Sequence, residues 1–439
     1  MTDTGHMEQG GPNSLPPELW LRICFLLDLP DAGNFRLVCK TFSGIGARVV
    51  FRRLVVHADP DNHSLLRILA RDRAKSKYLQ SFIYTPAPVR RSWAGAWSAG
   101  PVRTLLSDDG QVRQQAYAKL DQQRDAHSRV QGNLLICELL PVVLPRLTGL
   151  RSVIINCEGW HQCSDRYGAR GSYTPLTLIH RQHGKPGSRV LTALLGALEK
   201  SETKLETLKA GRLEWRSIGD LPQTPTQLAP FSNLADLNLH FCVCGIDRFG
   251  LGAKHPDLAE YARLNEAKML PNFLGSLPRL RALAIAFCSL SPRGPGVSEG
   301  WLRDVVRRGQ HWPHLASLSF GGMNLTKSLL MDVLARHKDT LRRLELFAVW
   351  LDDHWPSALA EMRDMLTLED ATIWSGLCGD EGRWKMLGHP EPPRTEDREN
   401  VVHAIRKYMV QGGSCPITDE TVARGPPEMF GGCRGSCWY

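Results

Sequence analysis

Over the first fifty residues the apolar positions recur every three or four: Leu19, Ile23 and Leu26 or Leu27, then Phe35, Val38, Cys39 and Phe42, then Ile45, Val49 and Val50. That spacing places each set on one face of a short helix. Ser14 stands where a cap for the first helix belongs. Pro16 and Pro17 suit its opening positions, where no backbone donor is needed, and Glu18 lies at the positive end of its dipole. Asp28-Leu29-Pro30-Asp31 reads as a stop and a new start, because the residue before a proline is driven out of the helical region. Ser43-Gly44 reads as the break before the third helix. Beyond it, 53–56 reads as a strand and 64–79 as a helix with Leu65, Leu66, Ile68, Leu69 and Leu79 apolar. The stretch 85–110, rich in Pro, Gly, Ser and Arg with Trp93 and Trp97 as its large apolar groups, reads as an irregular insertion.

From Leu150 a second pattern takes over, of the form L-x-x-L-x-L-x-x-C/N-x-L. Leu280, Leu283, Ile285, Cys288 and Leu290 fill it, and Leu234, Leu237, Leu239, Cys242 and Cys244 follow it. So do Leu315, Leu318, Phe320, Met323 and Leu325, and Leu341, Leu344, Leu346, Val349 and Leu351. Weaker copies begin at Leu150 and Leu205, and a last strand is expected near Leu366. Starts at 205, 234, 280, 315 and 341 are spaced by 29, 46, 35 and 26 residues, so each unit has room for a strand and a helix, with insertions in the longer ones. After Leu377 the chain turns charged and Pro-rich, carries one short helical stretch at 401–410, and ends in a Gly- and Cys-rich run.

Three helices in about forty residues are too few to bury their apolar faces on one another, so apolar surface is left for a partner. In order, Leu15, Pro16, Glu18, Leu19, Ile23, Leu27, Leu37, Val38, Cys39 and Phe42 resemble the F-box, the module that docks substrate receptors onto the adaptor subunit of SCF ubiquitin ligases. Ala32 and Gly33 stand where that family carries larger apolar residues. The resemblance implies that Leu15, Pro16, Leu19, Ile23, Leu27, Val38, Cys39 and Phe42 bind the adaptor and, through it, a cullin. The alternative reading is a helical cap on the following domain. The repeats resemble the irregular leucine-rich repeats that follow the F-box in many fungal F-box proteins. The expected fold is therefore α/β, a three-helix F-box followed by an irregular leucine-rich-repeat-like solenoid.

The resemblance further implies a substrate-recognition subunit of an SCF-type ubiquitin ligase, without catalytic residues or cofactor, acting by holding a protein client near the conjugating enzyme. A non-degradative F-box scaffold and a metal-binding enzyme are the alternatives. Side chains alternate along a strand, so the positions expected to face outward and hold the client are Asp236, Asn238, His240, Ser317, Ser319, Arg343, Glu345 and Phe347. Ala282, Ala284 and Ala286 form a shallow channel among them. The expected organisation is a disordered N-terminus (1–13), the F-box (14–56), a helical connector with an irregular insertion (57–140), the repeat domain (141–377), and a charged linker with a flexible tail (378–439).

Composition narrows these expectations. Apolar residues make up 42% of the 439 and charged residues 23%, an ordinary globular balance. The net charge of +9 is spread through the chain and does not mark a nucleic-acid binder; Arg71, Arg73, Lys75 and Lys77 are interrupted by Asp72. The most apolar run, from Leu134, is broken by Glu138, Pro141 and Pro145 and is too short to span a bilayer. The polar N-terminus lacks the apolar centre of a signal peptide, and the twelve scattered cysteines behave as small buried hydrophobes. A location inside the cell, cytoplasmic or nuclear, is expected, without disulfides. For metal, Cys157, His161 and Cys163, with His180 and His183 downstream, offer suitable donors, but no second Cys-x-x-Cys closes a tetrahedral set. No P-loop, nucleophile elbow or His-Glu-x-x-His is present.

Overall fold

The computed structural model describes residues 15–57, 60–85, 135–155, 186–242, 256–287, 299–347, 349–374, 377–379, 382–384 and 397–417. Three helices open the chain: α1 (Pro17–Leu26), α2 (Leu29–Val38) and α3 (Lys40–Val50). Pro16 is the N-cap of α1; Ser14 lies outside the described residues. Asp28 caps α2, its carboxylate accepting the Asp31 N–H at 2.8 Å. The third helix does not start after Ser43-Gly44. It starts at Lys40, because Cys39 takes an extended backbone with φ at −159° and its sulfur accepts the Phe42 N–H at 3.5 Å. Phe42 therefore belongs to α3, not to the end of α2.

Most of the described residues after Phe51 are built around one nine-stranded sheet, all parallel, whose strand order follows the chain: β1 (Arg53–His57), β2 (Ser81–Thr85), β3 (Ser152–Ile155), β4 (Thr207–Glu214), β5 (Asp236–Cys242), β6 (Ala282–Phe287), β7 (Ser317–Gly321), β9 (Arg343–Phe347) and β11 (Asp370–Trp374). Short strands β8 (Asn324–Leu325), β10 (Trp350–Leu351) and β12 (Leu377–Gly379) pair in parallel, and β13 (Gly382–Trp384) closes that second sheet antiparallel to β12.

Two residues ahead of each strand of the main sheet after β1 stands a leucine: Leu79, Leu150, Leu205, Leu234, Leu280, Leu315, Leu341 and Leu368, all buried. One residue ahead stands a carbonyl that accepts two successive N–H groups from the next unit. Arg52 O takes Gln80 and Ser81, Ala235 O takes Arg281 and Ala282, and Arg342 O takes Glu369 and Asp370, at 2.7–3.1 Å. Within the strands the inward side chains form two rows in register. Leu208, Leu237, Leu283, Leu318 and Leu344 make one; Ala210, Leu239, Ile285, Phe320 and Leu346 make the other. These rows meet a helical layer: α4 (Pro60–Arg71), α5 (Arg73–Ser76), α6 (Leu135–Val143), α7 (Pro186–Glu199), α8 (Pro225–Leu228), α9 (Pro256–Glu266), α10 (Met269–Gly275), α11 (Glu299–Arg307), α12 (Lys327–Arg336) and α13 (Trp355–Met365).

Three expected boundaries move. The sheet starts at Arg53, so 57–140 is not a connector ahead of a separate domain; β1 and β2 are its first strands. The expected helix 64–79 is α4 and α5, and Leu79 leads β2 instead of ending a helix. Finally, 378–439 is not all tail: α14 (Asp397–Gln411) packs against β11 and α13, and Ile405, Tyr408, Met409 and Ile417 are buried in the main core. The segments 1–13, 86–110 and 418–439 lie outside the described residues.

Candidate functional site

The first three helices have a small core of their own: Cys24, Ala32, Phe42 and Ile45, with Trp20, Leu21, Leu27, Phe35, Val49 and Val50 packed against it. Its centre is aromatic, Phe35 stacked on Phe42 at 4.3 Å between ring centroids and Trp20 tilted onto Phe42 at 4.7 Å. Gly46 lacks a side chain for a reason. A Cβ on Gly46 of α3 would lie 2.3 Å from Arg36 Cγ and 3.2 Å from Ala32 O, so α2 and α3 touch along a seam that larger side chains would prise apart. At Gly33 an added Cβ meets nothing within 4 Å.

This core leaves a large apolar remainder uncovered. Leu26 is 86% exposed, Leu37 84%, Val38 68% and Leu29 63%, and Leu15, Leu19, Ile23 and Phe25 are exposed beside them. Solitary exposed leucines are ordinary, but this many within one small module is a docking surface. Residues 13–53 match the F-box domain. Of the residues expected to meet the adaptor, Leu15, Pro16, Leu19, Ile23, Val38 and Cys39 are exposed and Leu27 is half-buried. Phe42 departs from the exposure expected of that set: at 8% it is the middle of the F-box core and holds the helices together. Leu29 and Phe25, which the pattern did not single out, and Leu26, its alternative to Leu27, enlarge the open surface. The helical period was ambiguous between Leu26 and Leu27, and the fold turns Leu27 inward and Leu26 out. No curated protein matches the chain.

The F-box is joined to the sheet by charge on aromatic rings. Phe51, just after α3, has the Arg36 guanidinium 4.9 Å and the Lys75 ammonium 5.5 Å from its ring centroid, and Arg48 sits over Tyr78 at 5.8 Å. Arg52 Nε donates to Gln80 Oε1 at 2.9 Å. Phe51 occupies, ahead of β1, the place that leucines hold ahead of the other strands.

On the sheet side turned away from the helices, the register aligns Asp236, Ala282, Ser317 and Arg343, then Asn238, Ala284, Ser319 and Glu345, then His240, Ala286, Gly321 and Phe347. Several of the expected outward residues are not free-standing. Ser319 is only 7% exposed, donating its hydroxyl to Glu345 Oε2 at 2.9 Å. Phe347 is half-buried: its ring lies over Gly321, where a Cβ would come within 1.9 Å of Phe347 Cζ. Asp236 is tied to Lys209 at 2.6 Å. Arg343 stands exposed, and Asn238, His240, Ser317 and Glu345 are half-exposed. The face is therefore polar at β5 and β9, with a floor of Ala, Ser and Gly on β6 and β7 between them.

Cys157, His161, Cys163, His180 and His183 lie outside the described residues. Among the described residues no group of three or more His, Cys, Asp or Glu is placed to hold a metal ion, and no helix is long and apolar enough to cross a membrane.

Proposed function

We propose that this chain is a substrate-recognition subunit of an SCF-type ubiquitin ligase, its F-box on the adaptor and its parallel-stranded array, read as an irregular leucine-rich-repeat solenoid of the fungal type, on a protein client. The observation that carries the reading is the apolar surface of the F-box, from Leu15 through Val38, which the module's own core leaves uncovered. The sheet face from Asp236 to Phe347 supports the client half: a floor of small side chains admits a partner's backbone closely, and the polar rims at β5 and β9 supply hydrogen bonds and charge. The contribution to chemistry is proximity, raising the effective concentration of client and charged conjugating enzyme. Such a subunit works inside the cell, in cytoplasm or nucleus, and needs no cofactor.

The test is pull-down of adaptor and cullin with the full chain against the Leu15→Ala/Pro16→Ala variant, with circular dichroism as the folding control. Loss of adaptor from a folded variant is expected. Retention of adaptor sinks the assignment, and recovery of adaptor without cullin would favour the scaffold reading. For the client half, Arg343→Glu and Glu345→Arg are expected to lose co-purifying clients that accumulate under proteasome inhibition, while adaptor recovery stays unchanged.

A further inference from the structure

Among the described residues every crossover of the parallel sheet carries at least one helix of nine residues or more, except that from β4 to β5. There the chain makes a 3-10 helix (Trp215–Asp220), the four-residue α8 and a 3-10 turn (Ala229–Phe231). The outer layer is consequently short of one helix. Both α7 and α9 pack on the 215–220 segment, and beside it opens a cleft of about 520 Å³ at the carboxyl end of β4. That end is the side on which parallel α/β sheets bind ligands, and the volume is that of a small-molecule site.

Close packing would ordinarily fill such a gap with apolar side chains; here it is lined with charge. Arg216 lies over the Trp215 ring at 4.5 Å and is clamped by Glu214 and, at 3.1 Å, by Glu260 Oε2. Asp220 Oδ2 accepts the Thr192 hydroxyl at 2.7 Å. On the two walls stand the exposed side chains of Arg189 of α7 and Arg263 of α9, whose guanidinium groups have no hydrogen bond or ion pair among the described residues. Independently, Ser217 lines the cleft at 2% exposure with a hydroxyl that has no hydrogen-bond partner. A buried hydroxyl left so costs free energy unless something completes it.

We propose that this cleft is a binding site for a small organic anion that also carries hydroxyl or amino donors. The anionic group goes to Arg189 and Arg263, the two lining guanidinium groups without a partner among the described residues. The donors go to the carboxylate oxygens of Glu214, Glu260 and Asp220, and Ser217 completes its hydrogen bonding on the ligand. Three arginines against three carboxylates leave the lining without net charge, so a bare anion meets as much repulsion as attraction and a bare cation likewise. Only a molecule with both kinds of group uses both kinds of wall.

The experiment is thermal shift and calorimetric titration of the full chain with L-glutamate and with glycerol 3-phosphate, which separate a carboxylate from a phosphate head. Inorganic phosphate and ethanolamine at matched ionic strength are the single-charge controls. One of the two probes is expected to raise the melting temperature in proportion to dose while the controls do not. Arg189→Gln and Arg263→Gln, each confirmed folded by circular dichroism, are expected to weaken that binding about tenfold or more, and Ser217→Ala to weaken it less. Absence of binding by both probes overturns the proposal. So does inorganic phosphate binding as tightly as they do, or arginine variants that bind like the parent chain.

Discussion

Gly321→Ala places a methyl group where the Phe347 ring now lies. The new Cβ would stand 1.9 Å from Cζ, 2.3 Å from Cε2 and 2.4 Å from Cε1, whereas ordinary contact begins at 3.4 Å, so the ring must retreat by about 1.5 Å. Backbone strain is not the cause. The positive φ in this turn belongs to Gly322 at 60°, while Gly321 has no such requirement and is needed only for the close approach. A ring displaced that far leaves its rotamer, at about 0.5–1.5 kcal/mol, and gives up part of the roughly 1.5–3 kcal/mol that burying a Phe contributes. The sum falls within the usual cost of overpacking, about 1–3 kcal/mol, and should be read as a shift in urea midpoint with the slope unchanged. The decisive arm is Phe347→Ala alone and combined with Gly321→Ala. If the ring is the obstacle, the double variant costs less than the sum of the singles by about 0.5 kcal/mol or more. A neutral Gly321→Ala, or strictly additive costs, would refute the placement of Phe347 over β7.

Three further outcomes follow from the same geometry. Leu318→Ala should cost about 2–5 kcal/mol, because Leu318 is buried between Leu283 and Leu344 in one row; a midpoint like the parent's would show the register to be wrong. Thr326→Ala should cost about 1 kcal/mol and not zero, since its hydroxyl caps α12 by accepting the Leu329 N–H at 3.2 Å; loss of helix signal in thermal melts reports it. His337 is buried and neutral. Trp312 N–H donates to its Nε2 at 3.1 Å, so Nδ1 carries the proton toward Val333 O at 2.8 Å. Burial first, then neighbouring His311 and Arg336, hold its pKa below the ordinary histidine value. The unfolded chain therefore takes up a proton that the folded chain refuses, and stability is expected to fall as pH drops below about 6.5. His337→Gln should flatten that dependence between pH 7.5 and 5.5, and an unchanged slope would exclude His337 as its source.

The repeat pattern was legible from Leu205 to Leu351 because leucines at fixed offsets are the same signal that the sheet uses, two residues ahead of the strand and twice within it. It failed at the start of the sheet for physical reasons. Ahead of β1 the leading place is held by Phe51, which the F-box also uses, and Leu79 sits in a run of apolar and aromatic residues that fits a helix as well as a strand. The break at Cys39 was invisible because Phe35, Val38, Cys39 and Phe42 keep helical spacing straight across it, and a sulfur cap is rare beside the usual Ser, Thr, Asp and Asn. Ser319 was expected outside on alternation alone. Alternation gives the side of the sheet, while burial on that side depends on the neighbour, here Glu345. The charged cleft beside β4 left no motif at all, since its residues come from α7, β4, the 3-10 segment and α9 and meet only because a crossover helix is missing.

The last helix gives the array an end. A sheet that grows by laying each strand beside its predecessor has no internal reason to stop, and its final strand offers unpaired backbone groups and an uncovered apolar row to any chain able to add to it. In this protein α14 lies against β11, with Ile405, Tyr408 and Met409 in the core and Arg406 Nε 2.9 Å from Asp370 at the strand's first residue. A helix drawn from a stretch whose composition looks expendable thus covers the apolar end of the described sheet, and a chain cut at about residue 390 is expected to expose it.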